Sequence, residues 1–396
     1  MKLFLRQARL LVIFILFLLL DILSCGKTSQ DASSVQIPST GQIIVIQTLP
    51  PSSGGGTQSA SASISSTALP LPLFQSAAVS YTDPVSLQSF VYVIGGAYYD
   101  PQFQTDPINV NTVYRSLVKS GGALSPWITD NSVNLPSLRG HSSVIFNNSI
   151  YVIGGIGMGG FQNAIYQATI NMDTSNPPVP VLSSWNLVGE LPVAETGQAS
   201  VVSGNTLFVI GGVESGLPDF NTCSPNCIGS QNTVFSNKIY GYDLTTTTFS
   251  TSSVTSYTMP KNLFTPAAVA LPSNQIWVFG GWDGTTDSDT AYLFIVQGNT
   301  VSCFSACQPY LLPYGGISKA AGLYVQDVNQ IFLLGGVSGT LSSSELIMQN
   351  VYSALATSGI PSWTSSTSLP NPVLCFSATS SGKTIYIFGG LLNSSC

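Results

Sequence analysis

One short phrase is written six times in this chain of 396 residues, and it restricts the fold more than any other feature. Val91-Tyr92-Val93-Ile94-Gly95-Gly96 returns at 150–155, 207–212, 276–281, 331–336 and 385–390, always as aliphatic, aromatic, aliphatic, apolar, Gly, Gly. The first glycines stand at 95, 154, 211, 280, 335 and 389, which makes the intervals 59, 57, 69, 55 and 54 residues. Self-similarity at a fixed period marks an array of like units, and this period is too long for single-turn solenoid repeats. Four apolar residues without a polar partner suit a strand buried on both faces, and the glycine pair ends it. A second apolar stretch precedes each phrase, as in Ser142-Ser143-Val144-Ile145-Phe146, and is joined to it by turn residues such as Asn147-Asn148. That arrangement predicts a hairpin. A tyrosine strand follows (Tyr114, Tyr166, Tyr240, Tyr292), then often a tryptophan strand (Trp127, Trp185, Trp363), then Leu-Pro or Met-Pro.

Four strands per repeat in an antiparallel meander make one blade of a β-propeller, so the predicted fold class is all-β with six blades. The double glycine, the spaced Tyr and Trp, and the lead-in Leu135-Pro136-Ser137-Leu138-Arg139-Gly140-His141 resemble the kelch repeat. The resemblance runs from about residue 69 to 396. It departs in two ways. The Arg and His occur in one repeat only, and the fourth and fifth repeats lack a clear Tyr and Trp pair, for which Phe304 and Leu346 are the candidates. The sixth repeat stops six residues after Gly390, leaving room for two strands of four. Residues 34–37 and 42–48 have strand character, and Leu49-Pro50 follows as it does after other last strands. The N-terminal segment is therefore expected to complete the sixth blade and remove the open edges of an unclosed ring. The competing reading treats residues 26–67 as a free tether. Residues 51–67, rich in Gly and Ser, are read as linker.

Lys2, Arg6 and Arg9 precede an unbroken apolar run from Leu10 to Leu20, which is too short to span a bilayer and suits a signal peptide over residues 1–24. Ile22-Leu23-Ser24-Cys25 resembles a bacterial lipobox, with Cys25 as the lipidated residue of the mature chain. The resemblance implies a membrane-anchored protein of the bacterial cell envelope, at the outer membrane or cell surface. Several acyl chains anchor stably where one would be marginal. An ordinary cleaved signal with an incidental cysteine is the alternative. The expected organisation is thus a signal at 1–24, a lipidated segment and linker at 25–67, and the propeller at 68–396.

Removing residues 1–24 leaves 8 Lys+Arg against 16 Asp+Glu, with Arg115 and Arg139 the only arginines and His141 the only histidine. So few bases weigh against nucleic acid and anionic substrates. One histidine also excludes the two-histidine copper site of kelch-type radical oxidases. Six further cysteines (Cys223, Cys227, Cys303, Cys307, Cys375 and Cys396) read as disulfides in an exported chain, with Cys375 and Cys396 brought together by the last hairpin. A four-cysteine zinc site across the two Cys-x-x-x-Cys segments is the alternative. No metal and no cofactor are expected.

In a meander, the lead-in of each blade and the loop after its double glycine share one face. That face should gather Arg139, His141, Glu195, Lys261 and Tyr314 from the lead-ins. From the exits it should gather Tyr98, Tyr99, Phe103, Phe161, Phe220, Trp282 and Asp283. Aromatic rings with a few polar groups suit a protein or neutral glycan partner. Tyr98, Tyr99, Phe103, Arg139, Phe220, Trp282 and Asp283 are the candidate binding residues. Asp283, Asp287 and Asp289 are either turn formers or a calcium cluster. The expected function is a non-enzymatic, anchored binding platform. The alternative is an exported kelch-type sugar epimerase or mutarotase with Arg139, Glu195 and His141 as its acid, base and carboxylate-binding groups.

Overall fold

The computed structural model describes residues 41–49, 60–100, 107–215, 233–339 and 346–392, apart from single positions 176, 247, 250, 313, 358 and 360. Cys25, the segment 34–37, Phe103, Phe220, Cys223, Cys227 and Cys396 lie outside the described residues. No helix among the described residues is long and apolar enough to cross a membrane.

The repeated phrase is the second strand of each of six antiparallel sheets. In the first blade Ser89–Ile94 lies between Ala77–Thr82 and Val113–Val118, and Ile128–Asp130 adds the fourth strand. The corresponding second strands are Ser149–Ile153, Thr206–Ile210, Gln275–Phe279, Gln330–Leu334 and Thr384–Phe388. The innermost strands Ala77–Thr82, Ser142–Phe146, Ala199–Ser203, Ala267–Leu271, Ala321–Val325 and Ser377–Ser381 touch one another in sequence order, and the last returns to the first. The ring is closed. Every blade seam carries its own apolar cluster. Tyr92 and Ile94 face the seam with the second blade, whereas Val91 and Val93 face the seam with the sixth. A strand wedged between two seams has no solvated side, which is why its phrase admits no polar residue.

The sixth blade is completed from the other end of the chain. Ile43–Gln47 pairs antiparallel with Thr384–Phe388, from Ile43 opposite Phe388 to Gln47 opposite Thr384. Ile43 and Ile46 are fully buried. Ser61–Ile64 then pairs with the same strand as the blade's outer edge. The linker expected over residues 51–67 is corrected there. Small Ser and Ala side chains suit an outer strand that is exposed except at Ala62, which packs against the fifth blade.

Trp127, Trp185 and Trp363 each stand just ahead of a fourth strand and reach into the preceding blade. Trp127 meets Phe388, Trp363 meets Phe279, and Trp185 donates its indole N–H to the Asn131 carbonyl. Phe304 and Leu346 do not take this place, being 45% and 64% exposed. In the fourth blade Tyr310 packs on Trp277 instead.

The double glycine fastens neighbouring blades. Gly390 donates to the Leu73 carbonyl at 2.9 Å, Gly96 to Leu138 at 2.7 Å and Gly281 to Ile317 at 2.7 Å. A Cβ on Gly389, whose φ is 62°, would collide with that same Leu73 carbonyl. Only glycine allows both the left-handed backbone and the close approach.

Candidate functional site

Two residues ahead of every innermost strand the chain turns through a left-handed conformation, at Gln75, Gly140, Gly197, Thr265, Lys319 and Cys375, with φ between 49° and 65°. These six residues encircle the propeller axis. Gly140 N–H donates to the Gln75 carbonyl, Gly197 to Gly140, Thr265 to Gly197, Lys319 to Thr265 and Gln75 to Cys375, at 2.7 to 3.2 Å. A left-handed non-glycine residue costs about 1 kcal/mol or more and persists only where its surroundings over-determine it. Here a belt of backbone hydrogen bonds running from blade to blade supplies that constraint.

One position earlier stand Phe74, Arg139, Thr196, Phe264, Ser318 and Leu374. Each exchanges both backbone hydrogen bonds with the residue after its own double glycine: Ala97, Ile156, Val213, Trp282, Val337 and Leu391. Lead-in and exit are thus tied together on one face in all six blades. At the axis this face opens into a recess of about 170 Å³, lined by residues that include Gln75, His141, Gln198, Thr265, Lys319 and Phe376.

His141 is buried, and its Nε2 lies 3.1 Å from the Ile94 carbonyl. Burial lowers its pKa to about 4, against the raising effect of that hydrogen bond. The ring is therefore neutral at pH 7 and donates from Nε2. Gln198, at the equivalent position of the next blade, donates from Nε2 to the Ile153 carbonyl at 2.7 Å. An amide and an imidazole make the same contact, so His141 clasps two blades. Arg139 is half-buried and donates from Nη1 to Asn109 Oδ1 at 2.7 Å, bracing the exit of the first blade. Arg115 is buried against Asp130 at 2.8 Å.

Glu195 is fully buried, and neither carboxyl oxygen makes a hydrogen bond of normal geometry. Burial pushes its pKa up to about 8; the Ser236 hydroxyl lowers it and the Glu214 charge raises it further. Leu73, Leu138, Leu263, Ile317 and Val373 hold the equivalent positions, all buried. Glu195 is a neutral acid at a position that the other five blades fill with an apolar side chain. Of the acid–base set Arg139, Glu195 and His141, only His141 lines the axial recess, while Arg139 holds Asn109 and Glu195 is buried beside the lining.

No family model matches the chain. It is similar to beta-scruin of Limulus polyphemus, 40% identical over 75 residues, a match that takes in 19% of this chain and 7% of that protein. The solved structure of YjhT superposes with a TM-score of 0.57 at 14% identity, covering 82% of this chain and 94% of that one. The fold is a kelch-like β-propeller.

On the loop face of the propeller the aromatic residues are mostly tucked in. Trp282 is 4% exposed and packs with Phe264, Val213, Phe161 and Phe235. Tyr99 stacks on Phe74 at 5.1 Å, and Tyr98 is half-buried in the short strand Ala97–Tyr98. Asp283 accepts from the backbone of Thr285 and Thr286 and the hydroxyl of Thr285, and lies 3.7 Å from Lys261. Burial pushes its carboxyl up, but the bonds from Thr286 and Thr285 and the Lys261 charge together hold it below the ordinary range, and those bonds mark it as a turn former. No cluster of metal-ligating side chains occurs among the described residues.

Cys303 and Cys307 form a disulfide with Cα atoms 5.1 Å apart, which withdraws two of the four thiols that a shared zinc site would need. Cys375 is also disulfide-bonded. The belt residues Gln75, Thr265 and Lys319 and the clasp Gln198 escaped the sequence reading. Their signal is a constant offset from the innermost strand, two residues for the belt and one for Gln198, hidden because the belt position is glycine only in the second and third blades.

Proposed function

We propose that this propeller is an exported, lipid-anchored binding platform that takes a protein side chain or a neutral glycan at its axial recess. The observation that carries this reading is the recess itself. All six blades contribute to it, the backbone belt holds it rigid, and amide, hydroxyl and aromatic groups line it. Such a lining orients a small ligand through a few fixed polar groups set among apolar ones. About 170 Å³ accommodates one sugar ring or one inserted side chain. Pre-ordering the belt removes an entropy cost that a flexible site would meet on binding. Export and anchoring rest on the basic residues, the eleven-residue apolar run and the Cys25 motif.

Glycan and protein arrays, read for the parent and for Gln75→Ala and Thr265→Ala, test the binding role. One ligand class should bind the parent and weaken in both variants. Equal binding by parent and variants would remove the recess from the proposal. Labelled palmitate, fed to a bacterial host expressing the full chain, should enter the protein and be absent from Cys25→Ala. Labelling of both forms would remove the anchor.

A further inference from the structure

On the opposite face, at the seam between the sixth and first blades, lies a second and larger cleft of about 560 Å³. We propose that it is a binding site for a phosphate or sulfate ester of a small hydroxylated molecule, with the oxyanion held between Lys119 and Lys383. The site stands apart from the axial recess and does not depend on the reading given above. Its lining comes from the hairpin at 87–89, the turn at 118–122, the hairpin at 381–384, Gln47 of the N-terminal strand and Asp327.

The distribution of positive charge points here. After residues 1–24 the chain holds only 8 bases against 16 acids. Among the described residues, Arg115 is paired with Asp130, Arg139 with Asn109, Lys261 with Asp283 and Lys238 with Thr258, and Lys319 is also engaged. Lys119 and Lys383 are the two described bases whose side chains have no such partner, and both line this one cleft. Asp327 is the acid that faces them, its carboxylate close to Gly382.

Both lysines rise from fixed backbone. Lys119 N–H donates to the Ala123 carbonyl, and Lys119 accepts from Gly122. The Lys383 carbonyl accepts from the backbone and hydroxyl of Thr48, on the N-terminal strand. Beneath them Thr384 Oγ1 donates to Gln47 Oε1, Gln47 Nε2 to the Gly121 carbonyl, and Tyr386 hydroxyl to the Gly122 carbonyl. The floor is rigid. Two ammonium groups approaching from different blades suit an oxyanion with several oxygens, whereas a planar carboxylate is matched by the arginine fork, and no arginine lines the cleft. A bare anion would not fill the volume. The amides and hydroxyls of Gln88, Ser89, Ser120 and Ser381 supply partners for a hydroxylated body.

Calorimetry of the folded protein with glucose 6-phosphate, glucose 6-sulfate and glucose tests the site. At least one ester should bind about tenfold or more tightly than glucose, and its affinity should fall as salt is raised. Lys119→Gln and Lys383→Gln should each weaken the ester about three- to tenfold, in line with loss of one exposed charge contact. Asp327→Asn should tighten it, Lys238→Gln should leave it unchanged, and inorganic phosphate should compete. All these residues except Asp327 are lysines on the surface, and circular dichroism with an unchanged melting temperature shows that the variants are folded. Esters that bind no better than glucose, or that bind equally well to both lysine variants, would overturn the proposal.

Discussion

Replacing Glu195 by Gln should make this protein more stable, and by an amount that depends on pH. The side chain sits where five blades carry Leu, Ile or Val, with Glu214, Ser236, Tyr240 and Tyr242 as its polar surroundings. Burial raises its pKa from 4.5 to about 8. As pH rises past the lower value the unfolded chain releases this proton while the folded chain retains it, so unfolding gains ground until the folded group also ionises. The stability contribution is therefore fully present below the unfolded pKa and is lost as pH rises through the folded one. One pKa unit corresponds to about 1.4 kcal/mol, so the loss is about 3 kcal/mol at pH 7 and about 5 kcal/mol at pH 9. Glutamine has nearly the same shape and does not ionise, so it escapes this loss. Chemical denaturation of parent and variant at pH 5, 7 and 9 reads the difference. The two should nearly coincide at pH 5 and separate progressively towards pH 9, and Glu214→Gln should narrow the gap by removing the neighbouring charge. Parallel stability curves over that range would refute the buried neutral acid.

His141→Gln should flatten the acid side of the stability profile. The folded pKa is lowered from 6.5 to about 4, so stability present above the first value is lost as pH falls through the second, a loss of about 3 kcal/mol that glutamine avoids. Melts at pH 4 and pH 7 check it, and Gln198 already shows that an amide makes the clasp. Ile43→Ala should destabilise the protein by about 2 to 5 kcal/mol, since the side chain is fully buried in the seam that closes the ring. A melting temperature equal to the parent's would place that strand outside the cooperative unit. Gly389→Ala should cost about 1 to 3 kcal/mol or more, because a Cβ meets the Leu73 carbonyl and φ is left-handed. Denaturant titration reads this directly.

Low charge and tight closure are connected in this propeller. Blades are joined by backbone hydrogen bonds at the double glycine, by the axial belt and by six apolar seams, none of which needs an ion pair. The buried Arg115–Asp130 pair is the exception, an ion pair inside the first blade whose carboxylate also reaches the second. Asp130 accepts from Arg115 and from the backbone of Leu182, so its charge is balanced and hydrogen-bonded on both sides.

Fold class, blade number and the buried second strand were legible in the sequence because each repeat solves the same local problem. A strand with seams on both sides must be apolar throughout, and that requirement recurs every 54 to 69 residues in plain view. The third strand of the sixth blade was also visible, in the strand character of residues 42–48, which pair with Thr384–Phe388. Tertiary structure alone decided which segment became the outer strand, since Ser61–Ile64 carries no apolar pattern and is held by pairing with Ile43–Gln47. It also decided that Trp282 lies under its neighbours and that His141 and Gln198 serve one purpose. The same holds for Lys119 and Lys383, which are 264 residues apart in sequence and share one cleft. Local periodicity records that a strand is buried on both faces, without naming the residues of the neighbouring blades that cover it. Contacts between blades join residues with no fixed spacing in the chain, and only closure of the ring defines them.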